Sequence, residues 1–280
     1  MDLVWTLDGF FLSSSKRHQM PIDAEDRRLD QAKFLALYAR LASVQLGTLV
    51  NSYDYHSIKR LIDVDGDRIA VGSEDPLATI VVEGVNAMTS GEASEADLEP
   101  SASLAALFQD HSIARGLKPK LFIGLDLRGD GLEVCGMLST CSFERDQALS
   151  TTRLTASYCS SHGLPRFDAA WQLVDVVASR KQGTGALLLL SAIVAAARAK
   201  KTGLVSIAIT RGGKRLMNAF GFHTEHGYKE GGSQRYVCYA RLGEIHLADV
   251  HRRLRIHDQL VTDVCWRNGL TKQTTVIGRC

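Results

Sequence analysis

The chain has six cysteines, Cys135, Cys141, Cys159, Cys238, Cys265 and Cys280, and no two of them form a C-x-x-C pair. None stands at a cysteine–histidine spacing that resembles a zinc site, so no metal is expected and free thiols in a reducing compartment are. Long apolar runs are also missing. The longest, "GALLLLSAIVAAARA", is too short to span a bilayer and is bounded by charge. The opening "MDLVWTLDGFF" has an early aspartate and no basic start, which makes a poor signal peptide. A cytoplasmic protein with no membrane partner is the expectation. Strong net charge is absent too. The 33 basic residues against 31 acidic ones leave +2, which gives no global pull toward nucleic acid or anionic membrane. No internal repeat is visible.

What remains is ordinary globular material. The chain is 45% hydrophobic and 23% charged. Its 280 residues are many for one domain and few for two large ones. Charge is unevenly spread. Eleven acidic residues and one basic residue, Arg68, lie between Asp63 and Asp110. From His251 to Cys280 there are six basic residues (Arg252, Arg253, Arg255, Arg267, Lys272 and Arg279) against Asp258 and Asp263. Solvated surface explains both segments. A sharper reading makes the second a basic tail that meets nucleic acid or an acidic protein partner.

Along the chain, residues 3–12 read as a strand and 24–49 as an amphipathic helix. "LIDVDGDRIAVG" carries Asp-Gly between alternating apolar residues, a hairpin signal. Asp63 and Glu74 have calcium-loop spacing, but Ile69 and Val71 read as strand residues and no helix pair flanks them. "TIVVEGV" (79–85) reads as a strand, 88–103 as an acidic linker, and the segment after it as a short helix. From Pro119 the pattern sharpens. "KLFIGLDL" and "LEVCGMLSTCSF" read as a hairpin around "RGDG", followed by an irregular stretch over 145–167. "AAWQLVDVVAS" is a buried-type strand. "TGALLLLSAIVAAARAKK" is a helix with lysines in its last turn, ended by Gly203. "LVSIAIT" is a strand, "GGKRLMNAF" a short helix, and "QRYVCYARL" a last strand. A further helix is expected after residue 243.

The informative stretch is "SRKQGTGALLLL", residues 179–190. It joins a strand to a helix, and a second strand follows. Such a turn leaves the first helical amides without intrahelical partners and places the positive end of the helix dipole above them. Gly183 and Gly185 allow close approach of a ligand, and Arg180 and Lys181 complement phosphate. A P-loop needs GxxxxGK[ST], which "GTGALLLL" lacks. A dinucleotide fingerprint needs a third glycine, where Leu188 stands, and an acidic residue ending the next strand, where Thr210-Arg211 stands. The pattern [RQ]xxGx[GA] is satisfied by Arg180, Gly183 and Gly185.

That turn, with the hairpin before it, the strand after it, and "KRLMNAFGF" ending in Gly221-Phe222, resembles the GCN5-related N-acetyltransferase (GNAT) superfamily over residues 119–242. The resemblance implies a mixed α/β fold, with a central splayed sheet flanked by helices. Residues 1–118 would hold the first strand and helix plus an enlarged acidic insertion. Residues 119–242 would be the acyl-coenzyme A-binding core, and 243–280 a basic C-terminal extension. It implies acetyl-coenzyme A as co-substrate and an amine acceptor, with coenzyme held by Val177, Arg180, Lys181, Gly183, Thr184, Gly185 and Asn218. Arg215 is a further candidate contact. The thioester carbonyl would be polarised by backbone amides near residues 176–178, where two strands splay.

Acyl transfer also needs a base and an acid. Asp175, in the strand leading to the turn, is the first candidate base; a local pairing role is its plainer reading. Glu225, with His223 and His226 in "GFHTEHGYKEGG", forms a second group, in which histidine is suited to work near neutral pH. Many relatives carry a proton-donating tyrosine four residues before the glycine of Gly-Phe. Here that position is Met217, which donates no proton. Tyr228 is the first candidate replacement, ahead of Tyr236 and Tyr239. The acceptor site would be built from 144–168 and 223–233. Two functions therefore follow: an acyl-coenzyme A-dependent N-acyltransferase, whose acceptor is a small amine, a protein or a nucleobase, or a non-catalytic module that uses the same fold for binding within an assembly.

Overall fold

The computed structural model describes residues 10–12, 24–65, 68–71, 79–80, 82–83, 117–127, 132–142, 154, 156–208, 210–225, 227, 229–230, 233–245 and 270–272. The elements in chain order are β1 (Phe10–Leu12), α1 (Ala24–Leu46), β2 (Thr48–Asp54), α2 (Tyr55–Leu61), β3 (Ile62–Asp65), β4 (Arg68–Val71), β5 (Lys120–Asp126) and β6 (Glu133–Ser142). There follow α3 (Ala156–Ser161), β7 (Trp171–Ser179), α4 (Thr184–Arg198), β8 (Gly203–Ala208), α5 (Arg211–Ala219), β9 (His223–Glu225), β10 (Lys229–Glu230), β11 (Ser233–Gln234), β12 (Tyr236–Arg241) and β13 (Leu270–Lys272).

Seven strands form one mixed sheet in the order β2-β5-β6-β7-β8-β12-β9. Every neighbouring pair is antiparallel except β7 and β8, which run parallel. A parallel pair needs a crossover, and α4 supplies it. The Ala/Leu run of α4 consists of strong helix formers, and twelve of its fifteen residues are buried. It packs with Leu35, Tyr38 and Ala42 of α1 over Phe122, Leu138 and Val174. Met217 of α5, with Phe220 and Phe222 just after it, continues the same core. The other face of the sheet is closed by Leu154, Cys159, Leu164 and Phe167 on Trp171, Leu173, Val205 and Val237. Phe167 and Trp171 meet edge to face at 5.0 Å. The architecture is therefore the expected α/β fold, with helices flanking a mixed sheet.

Several local expectations change. The first described strand of the seven-stranded sheet is β2, after α1; of the strand expected over 3–12 only Phe10–Leu12 is described, as β1, and it pairs with β13. The hairpin read from "DVDGD" is present as β3 and β4. In 79–85 the described residues Thr79, Ile80, Val82 and Glu83 are helical, so apolar content alone misassigned the segment. The irregular 145–167 stretch contains α3. Helix α4 ends before Gly203: Lys200 takes the left-handed conformation at φ 55, and the Lys201 amide reaches back to Ala196 O at 3.0 Å. Gly203 instead opens β8. The linker at 88–103, the short helix after it, and the helix expected beyond 245 lie outside the described residues. The four described cysteines, Cys135, Cys141, Cys159 and Cys238, are buried and unbonded to one another. No helix among the described residues is long and apolar enough to cross a membrane.

Candidate functional site

Strand β7 is paired on both sides only over its first half. It pairs with β8 from Trp171↔Gly203 to Val174↔Ser206, then leaves it. Its pairing with β6 continues to Ser179↔Gly136. The register with β6 slips between Ser139↔Val176 and Thr140↔Val174, so Asp175 is an extra residue: a β-bulge.

The bulge has a consequence for which amides face the opening. The Thr202 amide donates to Ala170 O at 2.6 Å, which sets Gln172 and Val174 to face β8. Beyond the bulge, the Arg180 amide donates to Cys135 O at 3.0 Å. In an antiparallel ladder this directs the N–H groups of Val176 and Ala178 toward β6. Those of Val177 and Ser179 then point the opposite way, into the gap that β8 has vacated. One inserted residue thus exchanges odd for even and presents the Val177 amide at the mouth of the splay.

The turn closes over the same end. Gly183, before the first turn of α4, has φ 89, a conformation that costs little only for glycine. No side chain caps the helix. The Thr184 amide bonds Lys181 O (3.1 Å) and the Leu187 amide bonds Gly183 O (3.0 Å), leaving the Gly185 and Ala186 amides without a partner among the described residues. Gly185 lies against β7: a Cβ there would sit 3.1 Å from Ser179 Oγ. Thr184 is fully buried, its Oγ1 3.6 Å from Cys135 Sγ. Burial pushes the Cys135 thiol above its ordinary pKa, so it remains a neutral packing group beneath the turn.

The structure thus brings Val177, Arg180, Gly183, Thr184 and Gly185 together. Arg180 is exposed beside the turn. Lys181 differs from expectation: its Nζ donates to Asp126 Oδ1 at 2.6 Å, so its charge is already paired and it ties the turn to the end of β5. Asp126 gave no signal in the sequence, because the pair spans 55 positions. Asn218 is exposed on α5, and its Oδ1 accepts from Thr224 Oγ1 at 2.6 Å. This fixes the amide plane and leaves its N–H groups directed elsewhere.

The catalytic candidates are not gathered in this way. Asp175 stands at the bulge, next to the splay. Glu225 lies on β9, the outer edge of the sheet, level with Val237 and Ile207. It is two strand spacings from β8, about 10 Å. The segment read as a loop from 223 begins with this strand. Tyr228 and His226 lie outside the described residues. His223 is exposed, with its Nε2 3.6 Å from Glu244 Oε2. Tyr239 packs on Phe167 and Trp171; burial, then Glu225 and Glu244, raise its pKa and keep the phenol protonated. Tyr236 carries Lys214 Nζ 3.9 Å above its ring. Met217 is buried in the core of the α-layer.

No protein-family model and no curated protein matches the sequence. Solved structures do resemble the fold. One is a GNAT-family acetyltransferase described as putative, from Desulfovibrio desulfuricans, with 12% identity, 69% of this chain and 99% of that chain covered, and a TM-score of 0.40. Another is the AHL synthase LasI, with 10% identity, 75% and 98% covered, and a TM-score of 0.44. A third is a mosquito arylalkylamine N-acetyltransferase like 5b, with 11% identity, 58% and 89% covered, and a TM-score of 0.36.

Proposed function

We propose that the protein is an acyl-coenzyme A-dependent N-acyltransferase, with acetyl-coenzyme A as donor and an amine as acceptor. The observation that carries this reading is the bulge at Asp175, which turns the Val177 amide into the splay beside an α-helix N-terminus. A thioester carbonyl that accepts a hydrogen bond from Val177 N–H is polarised at the atom where negative charge develops during attack. The Gly185 and Ala186 amides and the dipole of α4 suit the coenzyme's pyrophosphate, and Arg180 adds charge. Asn218 lies on the next helix as a contact for the pantetheine arm. Asp175 is the base of this reading; Glu225 and Tyr228 are secondary. The leaving thiolate takes its proton from a group other than Met217. The core of the activity is assigned to 119–242, with β2 completing its sheet.

Melting the full chain with and without acetyl-coenzyme A tests this. Ligand at about 100 times its Kd stabilises by about 2.7 kcal/mol, a clear rise in Tm. The rise should shrink in Arg180→Glu, and no rise in the wild type would end the reading.

A second reading keeps the fold as a binding module without catalysis. Met217, buried at the position of the usual proton donor, favours it. Coenzyme binding without acyl transfer to any amine in a broad panel, protein and nucleobase acceptors included, would select it.

A further inference from the structure

Strands β5 and β7 end, and β6 begins, at the end of the sheet over which α4 starts. Two carboxylates stand there. Asp126 closes β5, Glu133 opens β6, and the two are directly paired across the ladder. Directly opposed residues share a face, and like charges so placed repel. Gly124, two residues before Asp126, faces α4: a Cβ there would meet Thr184 Cγ2 at 3.0 Å. By the alternation of a strand, both carboxylates are on that same side. They lie next to the turn to which the proposed function assigns the coenzyme's phosphates. An acidic pair is poor company for an anion unless a cation stands between them.

Lys181 is that cation. Its Nζ reaches Asp126 Oδ1 at 2.6 Å, with the two side chains 23% and 25% exposed. The pair lies close beneath the turn. Burial raises the Cys135 pKa, Thr184 and the Lys181 charge oppose the rise, and the Asp126 charge adds to it. Two roles are open to such a pair: a strut that shapes the turn, or a resting place for a mobile cation. The turn already has stronger supports. The Arg180 amide bonds Cys135 O at 3.0 Å, the Thr184 amide bonds Lys181 O at 3.1 Å, and the Thr184 side chain is 0% exposed. These fix the backbone directly. A part-exposed pair on a flexible four-carbon stem adds little to them. Glu133 contributes nothing to a strut, but it deepens the negative potential that holds a cation in reserve.

We propose that Lys181 exchanges partners, from Asp126 in the free protein to the coenzyme's pyrophosphate in the complex, so that Asp126 is an internal competitor that sets coenzyme affinity. This rests on the acyltransferase reading for the identity of the anion. The Gly185 and Ala186 amides and Arg180 receive the pyrophosphate first, and Lys181 then swings onto it from the end of β5. Every complex formed breaks one ion pair inside the protein. Every release restores it, which favours departure of the spent coenzyme. No covalent step is involved. Asp126 touches no ligand and acts through Lys181 alone.

The test is a calorimetric titration of full-length wild type, Asp126→Asn, Lys181→Met and the double variant with acetyl-coenzyme A. Asp126→Asn keeps the shape of the side chain and should melt within about 3 °C of wild type. It should bind acetyl-coenzyme A about tenfold more tightly, because Lys181 no longer has to leave a carboxylate. Lys181→Met should bind more weakly than wild type. In the Lys181→Met background, the Asp126→Asn change should move affinity by less than about twofold. Equal or weaker binding by Asp126→Asn overturns the proposal, since the pair is then idle or a strut. So does a gain that persists undiminished in Lys181→Met, which would be plain repulsion by Asp126. If none of the four proteins binds acetyl-coenzyme A, the acyltransferase reading falls and the exchange with it. If all four bind it equally, the exchange alone falls.

Discussion

The two halves of β7 differ in what surrounds them. From Gln172 to Val174 the strand has a neighbour on each side and buried side chains above and below. From Asp175 to Ser179 its only strand partner among the described residues is β6, and no described strand lies on its second edge beneath the first turn of α4. The first half is a fold element. The second has its hydrogen-bonding parity inverted by one extra residue, and in the proposed function the same backbone serves as a binding edge. Stability should therefore concentrate in the first half and ligand affinity in the second.

The largest effect should come from breaking the paired half. Trp171 is buried against Phe167 and Tyr239. Trp171→Ala should cost about 3–5 kcal/mol in a denaturant melt. At the open end, Gly183→Ala forces an L side chain into the φ 89 conformation and should cost about 1–2 kcal/mol. It should also weaken acetyl-coenzyme A more than tenfold by calorimetry, a loss disproportionate to its effect on folding. Arg180→Glu sharpens the contrast: the side chain is exposed, so stability should change by less than about 0.5 kcal/mol while coenzyme affinity falls about tenfold. Equal loss of stability and affinity in these variants would erase the distinction between the halves.

A smaller effect concerns pH. Burial raises the thiol pKa of Cys135, Cys159 and Cys238. The native state therefore holds these protons to higher pH than the unfolded chain does. Their contribution is full below the ordinary thiol pKa of about 8.5 and is lost as pH rises through the raised native values. Urea midpoints should be flat in this respect near neutrality and fall above about pH 9. Coenzyme affinity should fall along with stability if Cys135, packed under Thr184, shares in that loss.

The turn before α4 was legible in the sequence because backbone and glycine determine it. Gly183 and Gly185 mark the turn, and Ala/Leu content marks the helix that follows. The bulge was not legible: "LVDVVAS" reads as an uninterrupted strand, and only the slip against Ser139 shows Asp175 to be supernumerary. The ion pair of Lys181 was not legible either, because its partner, Asp126, lies on a distant strand. Glu225 was read as part of a loop because a three-residue strand has too few positions to show alternation. A catalytic arrangement of the proposed kind would need side chains converging from separate elements, and local pattern does not encode that convergence.

The central claim is that the Val177 amide, with those of Gly185 and Ala186, receives the acyl-coenzyme A. Backbone amide NMR of the full chain titrated with acetyl-coenzyme A tests it most directly. The account predicts large saturable shifts and slowed exchange at Val177, Gly185 and Ala186, with little change at Gln172 and Val174. Unmoved resonances at Val177 and Gly185, or shifts centred on the paired half of β7, would contradict it.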